Sequence, residues 1–290
     1  MEVGAGRIRA RFKQSIVRRV VGEVYTHFTA DDGWAMASHL ALQTLLSLFP
    51  FLIVVAAIAG IIGSQRLASE VASMVFDTWP KEVARPMARE AHEVLTRIHA
   101  GALTLGLLFA LWFASNGIEA LRMALNRAYR IVEPRAYLYR RMQSLIFICL
   151  GAVALLSLAI FIVFGPIIWA AVIDIAPWLS GAERAMRVLR FATATLILAF
   201  VLTAAHRWLP AGQRRVADIL PGIGFTLVTW IAAGAGFGFY LQRIATYRDT
   251  YAGLANVTAA IVFFYVLATL LLLGAELNAA LMRLRAAARL

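Results

Sequence analysis

Six long apolar segments constrain the fold of this 290-residue chain more than any other feature. A helix needs roughly 20 apolar residues to cross the hydrocarbon core of a bilayer. The segments cover residues 34–63, 101–121, 145–173, 191–209, 219–240 and 253–282. Since 61% of the residues are hydrophobic, one soluble core of this size cannot bury them all. The sequence predicts an all-α polytopic membrane protein, with six transmembrane helices forming a single domain over residues 1–290.

Basic residues mark alternate connections between these segments. Most of the 28 lysines and arginines lie before the first span, between the second and third, between the fourth and fifth, and after the sixth. Loops rich in Lys and Arg stay in the cytoplasm. The sequence therefore predicts a multi-pass protein of the bacterial inner membrane with both termini in the cytoplasm. The same rule accounts for the net charge of +12, so we expect the lipid bilayer, and no nucleic acid, as a partner.

Three segments lie outside the predicted spans. Residues 1–33 form a basic, amphipathic cytoplasmic segment, and residues 283–290 form a basic cytoplasmic tail. Residues 64–100 form an external loop, in which apolar residues recur at helical spacing on either side of Trp79-Pro80. Such a pattern predicts amphipathic helices lying at the membrane interface.

Polar residues inside the spans are the candidate functional residues, because ionisable groups in a bilayer usually face a helix bundle or a wet cavity. His39, Gln43 and Ser47 share one face of the first span. The other candidates are Asn116 and Glu119 in the second span, and Glu276 and Asn278 in the sixth. Polar residues toward the predicted cytoplasmic ends of the spans suggest a polar vestibule that is closed toward the outside and open to the cytoplasm; they are His39, Gln43, Glu119, His206, Asp218, Glu276 and Asn278. The alternative is helix-end snorkelling with one structural pair between Glu119 and Arg122.

Prolines and glycines mark further special positions in the spans. Pro50 and Pro166 each predict a helix kink, because proline cannot donate the helical hydrogen bond. Gly234 and Gly238 have the GxxxG spacing that lets two helices approach closely. We predict a packing role for them, with a gating hinge as the alternative.

The sequence has no zinc-protease, Walker-type or nucleophile-elbow motif. His92 and His99 share a helical face of the external loop but are only a weak metal signal. The lone cysteine, Cys149, rules out a disulfide within the chain and any multi-cysteine metal site. We therefore expect no metal, no cofactor and no enzymatic activity.

Several stretches resemble the YihY/BrkB family of bacterial inner-membrane proteins. They are Leu46-Ser47-Leu48-Phe49-Pro50, Ser115-Asn116-Gly117, Ala124-Leu125-Asn126-Arg127-Ala128-Tyr129, Thr250-Tyr251-Ala252-Gly253 and Gly274-Ala275-Glu276-Leu277-Asn278. The resemblance implies six transmembrane helices with cytoplasmic termini. The family often has a tyrosine pair near the position of His39, and this chain departs from that pattern. Members have carried a ribonuclease BN label, regarded as a misassignment; others are linked to serum resistance or proposed as transporters.

Two functions fit these observations. The first is a transporter or exporter of an unidentified small solute or lipid-like molecule, which would pass through the polar cavity. The second is an envelope scaffold that organises other membrane components and transports nothing. A homo-oligomer is compatible with either function.

Overall fold

A computed structural model describes residues 18–61, 100–161, 165–244 and 252–287, and these residues form helices joined by short turns. The first helix, α1, covers residues 18–30. The remaining elements are α2 (Gly33–Ile61), α3 (Ala100–Ala128), α4 (Tyr137–Ala159), α5 (Gly165–Ile175), a 3-10 helix (Pro177–Ala182), α6 (Glu183–Trp208), α7 (Val216–Ile244) and α8 (Ala252–Ala287). Except for Ala100, the predicted external loop lies outside the described residues, as do most of the N-terminal segment and the last three residues of the tail.

Five of the described helices are long and apolar enough to cross a membrane, and they are α2, α4, α6, α7 and α8. The prediction of an all-α polytopic membrane protein is therefore confirmed. The predicted second span corresponds to α3, which has 29 residues but carries Glu119, Arg122 and Arg127 near its end. At 1.5 Å per residue, α3 is about 43 Å long, so its length suits a sixth span even though its composition is more polar.

The predicted third span divides into two helices. Helix α4 ends at Ala159, and α5 begins at Gly165 with Pro166 in its first turn. Proline is well tolerated there, because the first turn of a helix leaves its N–H groups without partners inside the helix. Pro50, in contrast, lies inside α2, which continues as one helix on both sides of it.

Helix α2 is central to the bundle and packs against α3, α8 and α4, while α7 packs against α8 and α6. The main buried cluster joins these helices through many small side chains. Examples are Ala37, Ala120, Ala124 and Ala268. Large apolar side chains such as Phe109, Phe113 and Val228 point outward instead. Small residues inside and large apolar residues outside are what lipid as a solvent favours.

Helices α7 and α8 make their closest approach at Gly222 and Gly274. A Cβ atom at Gly222 would clash with the main-chain oxygen of Gly274, and a Cβ at Gly274 would clash with the hydroxyl of Thr226. Gly234 and Gly238 lie further along α7, where a Cβ would meet no described atom within 4 Å. Within the described part of one chain, the close packing predicted for Gly234 and Gly238 is instead made by Gly222 and Gly274.

The predicted cytoplasmic segments meet at one end of the bundle, here named the basic end. It comprises the α1–α2 turn, the α3–α4 and α6–α7 connections, and the last turns of α8. Four ion pairs link these parts and the helices next to them. They are Asp31–Arg130, Asp32–Arg127, Glu23–Arg283 and Asp218–Arg285. The alternation predicted from the basic residues thus corresponds to one shared end.

Candidate functional site

Polar side chains near the basic end form three groups, which we describe in turn. The Arg122 cluster joins α3 to α4, the Asn278 cluster joins α8 to α7 and the α3–α4 connection, and the Glu276 cleft lies between α8, α3 and the α1–α2 turn.

The Arg122 cluster is a closed network around a buried guanidinium. Arg122 is 1% exposed and donates to Glu119 Oε1 at 2.5 Å, to the main-chain oxygen of Arg140 at 3.0 Å and to Ser144 Oγ at 2.9 Å. Ser144 in turn donates to Glu119 Oε1 at 2.7 Å. Because the buried charge has a carboxylate and several further acceptors, the desolvation cost of burying it is offset. This cluster binds two helices together, as the structural alternative predicted for Glu119 and Arg122.

Arg141 lies one turn further along the same α3–α4 contact. Its guanidinium donates to Asn116 Oδ1 at 3.0 Å and to the main-chain oxygen of Trp112 at 2.8 Å, and it lies 3.7 Å from the centre of the Trp112 ring. The arginine is therefore held by a carbonyl, an amide and a cation–π contact. Asn116, a predicted cavity residue, is used here as a helix contact.

A third arginine fixes the α3–α4 connection to the α6–α7 connection. Arg135 donates to Glu133 through two nitrogens, at 2.5 and 2.7 Å, and to the main-chain oxygen of Leu209 at 2.6 Å. Asn126 also donates to Glu133, at 2.8 Å. The hydrogen bond with Arg135 is the main reason that the pKa of Glu133 falls to about 2, and the same bond raises the pKa of Arg135.

The Asn278 cluster is buried and connects four segments, α8, α7, the α3–α4 connection and α6. Asn278 Oδ1 accepts from the Gly222 N–H at 2.6 Å, and Asn278 Nδ2 donates to Tyr129 Oη at 3.3 Å. Tyr129 Oη lies 2.7 Å from His206 Nδ1. Burial raises the pKa of Tyr129 to about 12, so its hydroxyl stays neutral. Gly222 follows Pro221 in α7, and its N–H donates to the side chain of Asn278, so Asn278 closes the α7–α8 contact.

Arg214 packs against this cluster, and its guanidinium carbon lies 4.1 Å from the centre of the Tyr129 ring. Arg214 also donates to the main-chain oxygen of Ala211 at 2.8 Å. Its burial lowers its pKa. The aromatic ring and the carbonyl stabilise the cation within the α6–α7 connection.

The Glu276 cleft contains a buried carboxylate in largely apolar surroundings. Glu276 is 2% exposed, and its Oε2 atom is buried with no hydrogen-bond partner in the described residues. Its carboxylate lines a cleft together with Asp31, Gly33 and Arg127. The remaining walls are apolar and consist of Phe28, Met36, Ala124, Ala128 and Leu272. A buried, unpartnered carboxylate is costly unless something binds it, which makes this cleft the candidate site.

Two turns with left-handed residues lie next to residues that line the cleft. Asp32 has a φ of 53° and Arg130 a φ of 56°, both in the left-handed region that non-glycine residues rarely adopt. Arg130 donates to Asp31 Oδ2 at 2.8 and 3.0 Å, and Arg127 donates to Asp32 Oδ2 at 2.9 Å. The ion pairs therefore hold the α1–α2 turn against the end of α3, directly beside Glu276. Strain of this kind often accumulates at functional sites.

The predicted site residues do not converge on this cleft. Ser47 packs against Gly117, where a Cβ would clash with its hydroxyl, while His39 and Gln43 are partly buried elsewhere along α2. Glu276 and Asn278 face different neighbours, since Asn278 bonds to α7. Of the seven predicted residues, only Glu276 lines the cleft.

Sequence reasoning missed the partners of Glu276 in the cleft. Phe28 and Asp31 belong to residues 1–33, for which the sequence predicts only a basic, amphipathic cytoplasmic segment, and Ala124 and Ala128 look like ordinary packing residues. One available signal was the pair of aspartates, Asp31 and Asp32, immediately before an apolar span. Among the described residues, no group of three or more His, Cys, Asp or Glu side chains is arranged to hold a metal ion.

Comparisons with known proteins place this arrangement in a family. Residues 24–290 match the family described as virulence factor BrkB. The chain is 28% identical to the ribonuclease-like protein YfkH of Bacillus subtilis, over 89% of this chain and 94% of YfkH. It is 26% identical to a UPF0761 membrane protein of Rhodospirillum centenum and 29% identical to one of Neisseria meningitidis serogroup B.

These alignments with the UPF0761 proteins cover 92% and 84% of this chain, but only 58% and 59% of the relatives' own lengths. No solved structure matches the chain. The family match covers nearly the whole sequence and confirms the resemblance seen in its motifs, so this chain belongs to the virulence factor BrkB family of membrane proteins.

Proposed function

We propose that this chain is a transporter or exporter in the bacterial inner membrane, and that it moves a small solute or lipid-like molecule through the Glu276 cleft. In this proposal the basic end, with both termini, faces the cytoplasm. The observation that carries it is the buried carboxylate of Glu276, whose Oε2 atom has no hydrogen-bond partner among the described residues and which lines a cleft beside two turns with left-handed residues. Ionisable groups placed in this way in membrane proteins commonly mark solute or proton pathways.

The proposal includes neither an enzymatic activity nor a nucleic-acid partner. The buried arginines of the basic end are used within the chain itself, by Glu119, by main-chain oxygens or by aromatic rings. They hold the bundle together and are poorly placed to bind phosphates. The ribonuclease-like name of YfkH is a property of that protein, and the arrangement of arginines gives no support for extending it to this chain.

Access of water to the cleft tests the transport proposal. In a Cys149→Ala background, single cysteines replace Ala128 and Leu272, which line the cleft, and Ala205, which is equally buried nearby but does not line it. A membrane-impermeant thiol reagent is then applied from each side. We expect Ala128→Cys and Leu272→Cys to react from the cytoplasmic side, and Ala205→Cys to stay unreactive. If no cleft position reacts in the folded protein, the transport proposal is wrong.

The alternative is a scaffold that holds other membrane proteins. It is supported by the open face of α7, where Gly234 and Gly236 are exposed and would allow another helix to approach closely. Under this alternative, the Glu276 cleft stays dry, and replacing Gly236 with a large residue disrupts complexes with other chains. The cysteine experiment therefore separates the two functions.

A further inference from the structure

Helix α1 has one side packed against the bundle and one side left open. On the packed side, Val20 is buried and Glu23 pairs with Arg283 near the end of α8. On the open side, Val21 and Tyr25 lie one helical turn apart and are 61% and 65% exposed. The open side of α1 therefore carries an aliphatic and an aromatic side chain that are mostly uncovered.

This open side adjoins the lipid-facing side of α2. Phe28 follows Val21 by seven residues, so the two side chains lie along the same side of α1. The Trp34 ring, in the first turn of α2, meets the Phe28 ring edge-on with the ring centroids 5.0 Å apart. Trp34 is itself half exposed, and so is Leu42 further along the same span. Since tyrosine and tryptophan concentrate at membrane–water boundaries, Tyr25 and Trp34 mark the level of that boundary.

The start of α1 carries positive charge that the chain does not neutralise. Arg18 and Arg19 are exposed, and they take part in no ion pair among the residues that the structure describes. By contrast, Arg127 and Arg285 at the same end of the bundle are each paired with an aspartate. Between residues 3 and 22 the sequence has no acidic residue, and its basic residues there are Arg7, Arg9, Arg11, Lys13, Arg18 and Arg19. A basic cluster next to an apolar helix face is complementary to a surface of anionic lipids.

We propose that α1 lies in the membrane interface at the basic end and binds anionic phospholipids there. Val21 and Tyr25 enter the boundary between headgroups and acyl chains, beside Trp34. Arg18 and Arg19 donate charge-assisted hydrogen bonds to the lipid phosphates. A phospholipid suits this face because it offers both an anionic group and an apolar chain, in the order in which α1 presents their counterparts.

Quenching by brominated phospholipids tests this inference on the full-length protein in reconstituted vesicles. In the Cys149→Ala background, a bimane fluorophore is attached to Val21→Cys, on the open side of α1. The two quenchers carry bromine near the top of one acyl chain. One is phosphatidylglycerol, which is anionic, and the other is phosphatidylcholine, which has no net charge. The extent of quenching by each lipid gives its relative association at α1.

Two double variants separate a local site from a general effect of charge. The binding variant combines Arg18→Gln with Arg19→Gln. The control variant combines Arg184→Gln with Arg187→Gln, which removes the same charge from exposed residues in the first turns of α6, at the end of that helix away from the basic end. Inorganic phosphate is added in a further experiment, to distinguish a lipid headgroup from a free anion.

We expect both lipids to quench the label, with phosphatidylglycerol associating at least about fivefold more strongly than phosphatidylcholine. The control variant should keep this preference, and the binding variant should reduce it to nearly equal association. Excess inorganic phosphate should leave the preference unchanged, because a free anion gains nothing from the apolar side chains.

Several results overturn the inference. A label that neither lipid quenches means that the open side of α1 faces water or another protein. Equal quenching by the two lipids removes the preference for anionic headgroups. The local site is also removed if the binding variant keeps the preference, if the control variant loses it equally, or if inorganic phosphate abolishes it. If the binding variant does not fold, the two lipids on the labelled parent and on the control variant still decide the matter.

Discussion

At the scale of single residues, burial determines what each polar side chain contributes. Glu119 is the carboxylate partner of Arg122, which is 1% exposed, whereas Glu183 pairs with Arg187 in an ion pair whose side chains are both more than 60% exposed. We expect Glu119→Ala to lower the free energy of unfolding by about 3 kcal/mol, because it leaves a buried cation without its counter-charge. Glu183→Ala should cost less than about 0.5 kcal/mol.

Both variants are measured by denaturant unfolding in mixed micelles, followed by tryptophan fluorescence. Equal, small losses for the two variants would show that water reaches Arg122 and that the Arg122 cluster is not a dry helix contact.

Glu133 predicts a pH effect on the same end of the bundle. Its pKa falls from the ordinary value of 4.5 to about 2, chiefly through the hydrogen bond with Arg135. A lowered pKa in the folded state stabilises the protein at pH values above about 4.5, and this contribution disappears as the pH falls towards about 2. We expect Glu133→Gln to lose about 2 kcal/mol of stability at pH 7 and to show a flatter acid profile. The measurement is the unfolding free energy of parent and variant between pH 7 and pH 3. An acid profile identical to that of the parent protein contradicts the assignment.

At the scale of helices, the sequence predicts where a helix lies better than which helix it contacts. The first predicted span, 34–63, corresponds to α2, Gly33–Ile61, because the number of consecutive apolar residues indicates the length of a spanning helix. Which helices contact one another depends on the sequence of both helices. The GxxxG pair Gly234 and Gly238 has the right spacing but lies on an open face, whereas Gly222 meets Gly274, which is far away in sequence. No local pattern identifies that pair.

Helix α7 carries both a closely packed glycine, Gly222, and a glycine on an open face, Gly236. Gly222→Ala forces a Cβ into the main chain of Gly274 and the amide of Asn278, and we expect it to cost about 2 kcal/mol through overpacking. Gly236→Ala adds a Cβ to an open face, where alanine favours a helix slightly more than glycine does, so its effect should be near zero or stabilising. Thermal unfolding of the two variants in detergent measures the difference. A larger loss for Gly236→Ala would mean that the open face of α7 is covered by another chain.

At the scale of the whole molecule, the sequence predicted the membrane architecture but only part of the site. The length of an apolar segment and the distribution of arginine each depend on many residues. An error about one contact therefore does not change what they predict. The cleft depends on contacts between α1, α3 and α8, which lie up to 250 residues apart, and only Glu276 stood out, as an acid within an apolar span. Periodicity places the polar stripe of α2 on one helix face but does not identify what packs against that face, so the sequence alone predicts a shared cavity.

The arrangement of the basic end predicts which positions lie on the same side of the membrane. Neither helix length nor packing makes that prediction alone. Ala136, Gln213 and Ala287 lie in three of the basic segments, and Gly181 lies before α6, at the opposite end of that helix from Trp208. In the Cys149→Ala background, a cysteine at each of the first three positions should react with an impermeant reagent only after cells are permeabilised. Gly181→Cys should react in spheroplasts that are still intact. If Gly181→Cys and Gln213→Cys react from the same side, α6 does not cross the membrane. If all four positions react in the reverse order, the basic end faces outward, and the Glu276 cleft opens to the exterior.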